Sequence, residues 1–246
     1  MIKALSVLTL LFIGNLAIGQ TFHLKSFDGS EKSINLFPVD EKGLLTITCA
    51  KDTVKINDFT GIDTGVVLNK NFLLVRYSIR GGSGMHVRRS LILSVRDNII
   101  CQSLHITSLF SEEFIDFRKQ HKSSDLVDVS SLYKVDFSLK GNDMSNYLLN
   151  TMVHDEKKSK DAPQTNYNHD YDIILSFDTS RNVFYNKLEP ISQYFTIFDP
   201  KTSSEIKQYI MGTFPMVKLG QYKYYYIKGE WYEKDDESGL SKYSYK

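Results

Sequence analysis

A mainly β, antiparallel fold, a sandwich or barrel-like arrangement with one or two short helices, is what the 246-residue chain predicts. Three observations predict it. Short runs of β-branched and aromatic residues recur, clusters of Gly, Asn and Asp separate them, and in one hairpin the apolar alternation can be matched strand against strand.

Taken in order, the chain opens with MIKALSVLTLLFIGNLAIGQ. Lys3, an apolar run from Ala4 to Ile13 and the small-x-small pattern Ala17-Ile18-Gly19 form a secretory signal peptide over residues 1–19, cut before Gln20. The run is short of the ~20 residues that span a bilayer. No later segment reaches spanning length, so no transmembrane segment is expected after cleavage. A secreted or periplasmic location follows as the expectation.

The N-terminal β region, residues 20–118, holds candidate strands at Thr21 to Ser26, Ser33 to Phe37, Gly43 to Cys49, Thr53 to Asn57, Val66 to Leu68, Asn71 to Arg80, Met85 to Arg96 and Ile99 to Ser108. Ser111 before Glu112 and Glu113 predicts a short helix running to Phe117. Polar residues from Arg118 to Ser131 suggest a boundary, although both halves can also form one continuous domain. In the C-terminal region, 119–246, strands are expected at Tyr133 to Lys140, Tyr171 to Phe177, Asn182 to Leu188, Tyr194 to Phe198, Met216 to Leu219, Gln221 to Ile227 and Glu230 to Glu233. Tyr147 to Val153 fits a strand or a helix. The polar stretch His154 to Asp172 reads as a long exposed loop. Ser203 or Ser204 caps a second predicted helix, with Ile206, Tyr209 and Ile210 on one face, Gly212 as its stop and Pro215 beyond.

Strand parity gives the sharpest local reading. A three-residue loop, Gly82-Ser83-Gly84, pairs Ile79 with Val87, Val75 with Leu91 and Leu73 with Leu93, and needs positive φ at Gly84. The turn Asp97-Asn98 then sets Val95 against Ile100 and Leu91 against Leu104, so three strands share one buried face. The other face carries the rows Arg76-Ser90-His105 and Ser78-Arg88-Thr107, with Arg80 and His86 beyond. Arg89 falls opposite Tyr77 on the core side and is expected to stack on a ring or reach out to water. Between Lys70 and Arg96 lie six cations, no acid, and five of the chain's seven arginines. Arginine presents a planar fork of donors suited to carboxylate, sulfate or phosphate. Arg76, Arg80, His86 and Arg88 are therefore candidate anion-binding residues, the alternative being a solvated sheet face or arginines already paired within the chain.

A second candidate surface is the C-terminal hairpin QYKYYYIKGEWYEK. A turn at Lys228-Gly229 sets Tyr226 opposite Trp231 and Tyr225 opposite Tyr232. Tyr222, Tyr224, Tyr226 and Trp231 then share one face, which is either an exposed aromatic platform for a sugar or protein partner or one buried side of a sandwich.

The remaining chemistry is mostly excluded. Thirty basic residues stand against 29 acidic ones, so no global charge draws the chain to nucleic acid. Gly81 to Met85 misses the nucleophile elbow because Met85 replaces the second glycine, and it misses the dinucleotide fingerprint because Val87 holds the last position. The six histidines never fall at metal-binding spacing, and no metal or cofactor is expected. Asn166, Asn168, Asp170 and Asp172 alternate oxygen donors but lack the glycine and closing glutamate of a calcium loop. Cys49 and Cys101, the only cysteines, are expected to form a disulfide in an oxidising compartment, with two separate thiols as the alternative. The function expected is noncatalytic binding of a protein or glycan. A secreted hydrolase acting on polysaccharide or peptide, and an inhibitor or immunity-type protein using the Gly82 to Gly84 tip, are the alternatives.

Overall fold

Antiparallel hairpins account for nearly all the structure of the described chain, a computed structural model covering residues 19–115, 127–234 and 239–245. Strands β1 (Gln20–Lys25), β2 (Glu31–Val39), β3 (Leu44–Cys49) and β4 (Asp52–Asn57) make a four-stranded meander. Alternate residues along it, among them Ile34, Leu36, Leu45, Ile47, Val54 and Ile56, are fully buried, as a sheet covered on one face requires. Eight further strands follow as a second meander: β5 (Phe59–Asn69), β6 (Phe72–Ile79), β7 (Met85–Arg96), β8 (Ile99–Phe114), β9 (Val129–Lys140), β10 (Leu148–Ser159), β11 (Tyr167–Asp178) and β12 (Val183–Tyr185). The last five, β13 (Lys187–Asp199), β14 (Ser204–Leu219), β15 (Tyr222–Ile227), β16 (Glu230–Lys234) and β17 (Gly239–Lys242), close into a barrel. Its closing pair, β13 with β17, is parallel. An odd number of successive antiparallel strands leaves the last pointing the same way as the first.

The predicted hairpin register is found. Ile79 pairs with Val87, Val75 with Leu91, Leu73 with Leu93 and Val95 with Ile100, and Gly84 has a φ of 77°. Two bulges in β8 depart from it. The one at Ser108 sets Arg88 against Leu109 and Thr107 against Arg89, so Thr107 leaves the expected row with Ser78 and Arg88. The one at Ser103 shifts the pairing, so Leu91 faces His105 and Leu104 faces Ile92. His105 thereby moves from the expected outer row to the face that carries Leu91.

Neither face of β6 to β8 is the wet one. Leu73, Val75, Leu91, Leu93, Val95 and Ile100 share a core with β1 to β4. Leu74, Ile92, Leu104 and Ile106 share another with β9 to β12 and with the barrel residues Val217, Leu219, Tyr224 and Trp231. β9 pairs with β8 only along Leu109 to Phe114. The free half of β9 and the hairpins after it therefore fold back over the sheet, making a sandwich. The same pairing carries one sheet across the position where composition suggested a boundary at 118/119. A third, smaller core, including Phe195, Ile210, Met216, Tyr225 and Leu240, fills the barrel.

Several local expectations change. The predicted helix from Ser111 is the end of β8 as far as Phe114, its remainder lying outside the described residues, as do residues 1–18 of the predicted signal peptide. The helix predicted from Ser203 or Ser204 is strand β14. Helical turns do occur, but as single 3-10 turns at Asp40–Lys42 and Pro163–Thr165. The expected loop from 154 to 172 is the long β10–β11 hairpin, joined by the second of these turns. Asn168, Asp170 and Asp172 consequently lie along a strand rather than around a coordination loop.

Cys49 and Cys101 are separate thiols. Strand parity explains it: Cys49 and Ile100 belong to the core beside β1 to β4, so the next residue, Cys101, turns to the opposite side, where Asn182 Nδ2 lies 3.6 Å from its Sγ.

After β17 the chain crosses to the first sheet. Tyr243 is buried, Ser244 hydrogen-bonds Gln102 Oε1 at 2.9 Å, and the backbones of Tyr245 and Lys55 exchange bonds of 2.8 and 3.0 Å. This tail fastens the barrel to both meanders.

Candidate functional site

The arginine row is largely spent inside the molecule. Arg76 reaches Asp136 at 3.2 Å, and Arg88 pairs with Asp63, which also accepts from Ser78 at 3.2 Å. Each acid comes from a distant strand, β9 or β5, brought over by the folding back of the sheet and by the β5–β6 hairpin. Arg80 and His86 are exposed beside the Gly82–Gly84 tip and have no ion pair among the described residues.

Arg89 takes its place in an interior network. It lies opposite Tyr77 as expected, but its guanidinium stacks 3.6 Å from the centre of the Tyr243 ring. Tyr243 donates to Glu233, which also accepts from Thr107 at 3.4 Å. The Glu233 carboxyl is pushed up by burial, opposed by the Tyr243 hydrogen bond and the Arg89 charge. Fully buried His105 stands next in line. Its Nδ1 is 3.1 Å from Gln102 Oε1 and its Nε2 2.6 Å from the Tyr77 hydroxyl. An amide oxygen only accepts, so Nδ1 carries the proton and Nε2 accepts from Tyr77. Burial, with Arg89 adding to it, holds the His105 pKa well below its ordinary value, and burial pushes the Tyr77 hydroxyl up to about 12. Tyr77, His105 and Tyr243 are buried, Arg89 and Glu233 partly so, and together they join β6 to β8, β16 and the C-terminal tail.

The C-terminal aromatic row is internal too. Its predicted pairing holds, Tyr226 with Trp231 and Tyr225 with Tyr232, around Lys228 and Gly229 at φ of 51° and 92°. Yet Tyr224 and Trp231 are buried against the second meander, and Tyr222 and Tyr226 are half-buried beside them. Trp231 Nε1 donates to Gln102 O at 2.7 Å. The opposite face, Tyr225, Ile227 and Tyr232, fills the barrel. With both sides in cores, no aromatic platform is presented there.

An aromatic surface is presented elsewhere. From Ser204 to Pro215, β14 pairs with β13 alone, so this hairpin extends past the rest of the barrel. Its register places Ser192 by Met211 and Tyr194 by Tyr209. Met211 is 73% exposed, Tyr194 60% and Tyr209 47%. The two tyrosine rings lie 5.0 Å apart at 56°, Ser192 Oγ and the Tyr209 hydroxyl are hydrogen-bonded at 2.6 Å, and Lys207 Nζ is 5.5 Å from the Tyr194 ring centre. Ile206 on the same hairpin is also exposed. Sequence reasoning missed this face because the spacing of Ile206, Tyr209 and Ile210 also suits a helix. The signal available was alternation: Lys207, Tyr209 and Met211 share one side, and Ile210 the other.

A second depression lies on the outer side of β9 to β11. It has a volume of about 490 Å³ and is bordered by Lys134, Asp136, Met152, His154, Asp170 and Asp172. His154 Nδ1 is 2.7 Å from Asp170, a contact that can orient an imidazole base. Among the described residues no serine, threonine or cysteine lines the depression. Among the described residues no group of three or more His, Cys, Asp or Glu side chains is arranged to hold a metal ion, and no helix is long and apolar enough to cross a membrane. No protein-family model, curated protein or solved structure matches this chain.

Proposed function

We propose that this chain is a noncatalytic binding protein, secreted or periplasmic, whose protein or glycan partner contacts the outer face of the β13–β14 hairpin. The observation that carries the reading is the exposed set Tyr194, Tyr209 and Met211 with Lys207 alongside. Aromatic side chains supply large contact area at little loss of conformational freedom, and one end of each tyrosine stays wet, which suits an intermittently covered surface. A hydrolase remains the second reading, supported by the His154–Asp170 contact in its depression.

Capture from the native extract, alongside a glycan array, tests the first reading. Binding by the Tyr194→Ser/Tyr209→Ser double variant is expected to fall about 100-fold, two anchors each worth somewhat over 1 kcal/mol. Arg80→Ser is expected to leave binding unchanged. A double variant that binds as tightly as the parent would exclude this face.

A further inference from the structure

We infer that the open end of the barrel is a binding pocket for a small apolar monocarboxylate, one aromatic or branched aliphatic group carrying a single anionic end. This goes beyond the outer-face reading and does not depend on it. The pocket is a recess of about 240 Å³. Its walls are Ile197 of β13, Ile210 and Phe214 of β14, Ile227 of β15 and Tyr232 of β16; its rim carries Gln208 and Lys228, and Tyr209 and Met211 of the outer face also border it.

Size sets the first limit on the ligand. An apolar cavity of roughly 150 Å³ takes benzene, so this one accommodates a single ring with one or two further carbons and a carboxyl group. The lining sets the second. The side chains of Ile197, Ile210, Phe214 and Ile227 offer a surface to a hydrocarbon body, while Gln208, Tyr209, Lys228 and Tyr232 add polar surface that suits a single polar end.

Charge sets the third. Among the described residues Lys228 is the one charged side chain of the lining, and no carboxylate borders the pocket. The nearby Glu230 is occupied, 2.6 Å from Lys242 Nζ and accepting from the Tyr232 hydroxyl at 3.2 Å. Two backbone features hold this arrangement. Gly212, with φ of 147°, leaves room for Phe214, whose ring would meet a Cβ there at 2.9 Å. Lys228 is the first residue of the tight β15–β16 turn, with φ of 51°, so its position at the rim follows from hairpin geometry rather than from a flexible loop.

Methyl-detected NMR of the full chain, labelled at isoleucine, tests the inference with two probes of matched shape, phenylacetate and phenethylammonium. Phenylacetate is expected to shift the Ile197, Ile210 and Ile227 methyls saturably, and phenethylammonium to bind at least tenfold more weakly. Lys228→Asn keeps a residue that tolerates positive φ in this turn and is expected to bring the two probes within threefold of each other. Ile210→Phe fills the recess and is expected to abolish both responses. Tyr194→Ser, which lies outside the lining, is expected to leave phenylacetate binding intact even where it weakens capture of a partner, so the two readings fail separately. The inference is overturned if phenylacetate leaves those three methyls unmoved, if the cation binds as well as the anion to the parent, or if Lys228→Asn keeps the full preference.

Discussion

Trp231→Ala is expected to lower stability by about 3–5 kcal/mol. Trp231 is 1% exposed and sits where β16 packs against the second meander, in the same core as Leu104, Ile106 and Val135. Truncation removes the largest buried side chain at that junction, leaves a cavity, and strips Gln102 O of the 2.7 Å bond from the indole. Both terms act in the same direction. Trp231→Phe keeps most of the apolar area and is expected to cost less, about 1–3 kcal/mol, for the partner left unsatisfied and the smaller ring. Urea unfolding followed by circular dichroism gives both values. Because the residue joins barrel to sandwich, both regions are expected to unfold together in the parent, and loss limited to a few tenths of a kcal/mol would mean that the barrel is not fastened there.

Acid is expected to weaken the fold through His105. The group is fully buried and its folded-state pKa lies well below the ordinary histidine value. The unfolded chain therefore takes up a proton near pH 6.5 while the folded one does not. Its contribution to stability is complete above about pH 6.5 and declines as the pH falls below it, by about 1.4 kcal/mol for each unit. The groups facing His105 sharpen the effect rather than relieve it: Tyr77 and Gln102 already occupy its two nitrogens, the Tyr243 ring stands 5.0 Å away, and the nearest charge, on Arg89, is positive. His105→Gln is expected to lower stability at neutral pH but to flatten the slope between pH 6.5 and 5. Urea midpoints measured across that range give the comparison, and an unchanged slope in the variant would assign the acid sensitivity elsewhere.

What could be read from the sequence was local. Turn chemistry and alternation gave the pairing of Ile79 with Val87 and of Tyr226 with Trp231, because a two- or three-residue turn leaves little freedom in register. What alternation cannot tell is which face meets water when both are covered. Trp231 and Tyr224 on one side of the β15–β16 hairpin and Ile227 on the other are all apolar, and only long-range packing decides that each enters a core. The arginines show the same limit. Their concentration is visible in the chain, but Asp136 and Asp63, which pair with Arg76 and Arg88, come from other strands. At His105 a single-residue bulge reversed the side. Along β14 a spacing common to helix and strand concealed the exposed face, and pairing with β13 decided it.

Which aromatic row the protein presents is therefore the central claim, and nitration of the native chain with tetranitromethane, mapped by mass spectrometry, tests it most directly. Tyr194 and Tyr209 are exposed, whereas Tyr224 and Tyr243 are fully buried with hydroxyls held well above the ordinary pKa by that burial. Reagent attacks the phenolate, so accessibility and ionisation act together. Tyr194 and Tyr209 are expected to be modified first, with Tyr224 and Tyr243 untouched until the protein unfolds. Modification of Tyr224 in the native state as fast as Tyr194 would contradict the account.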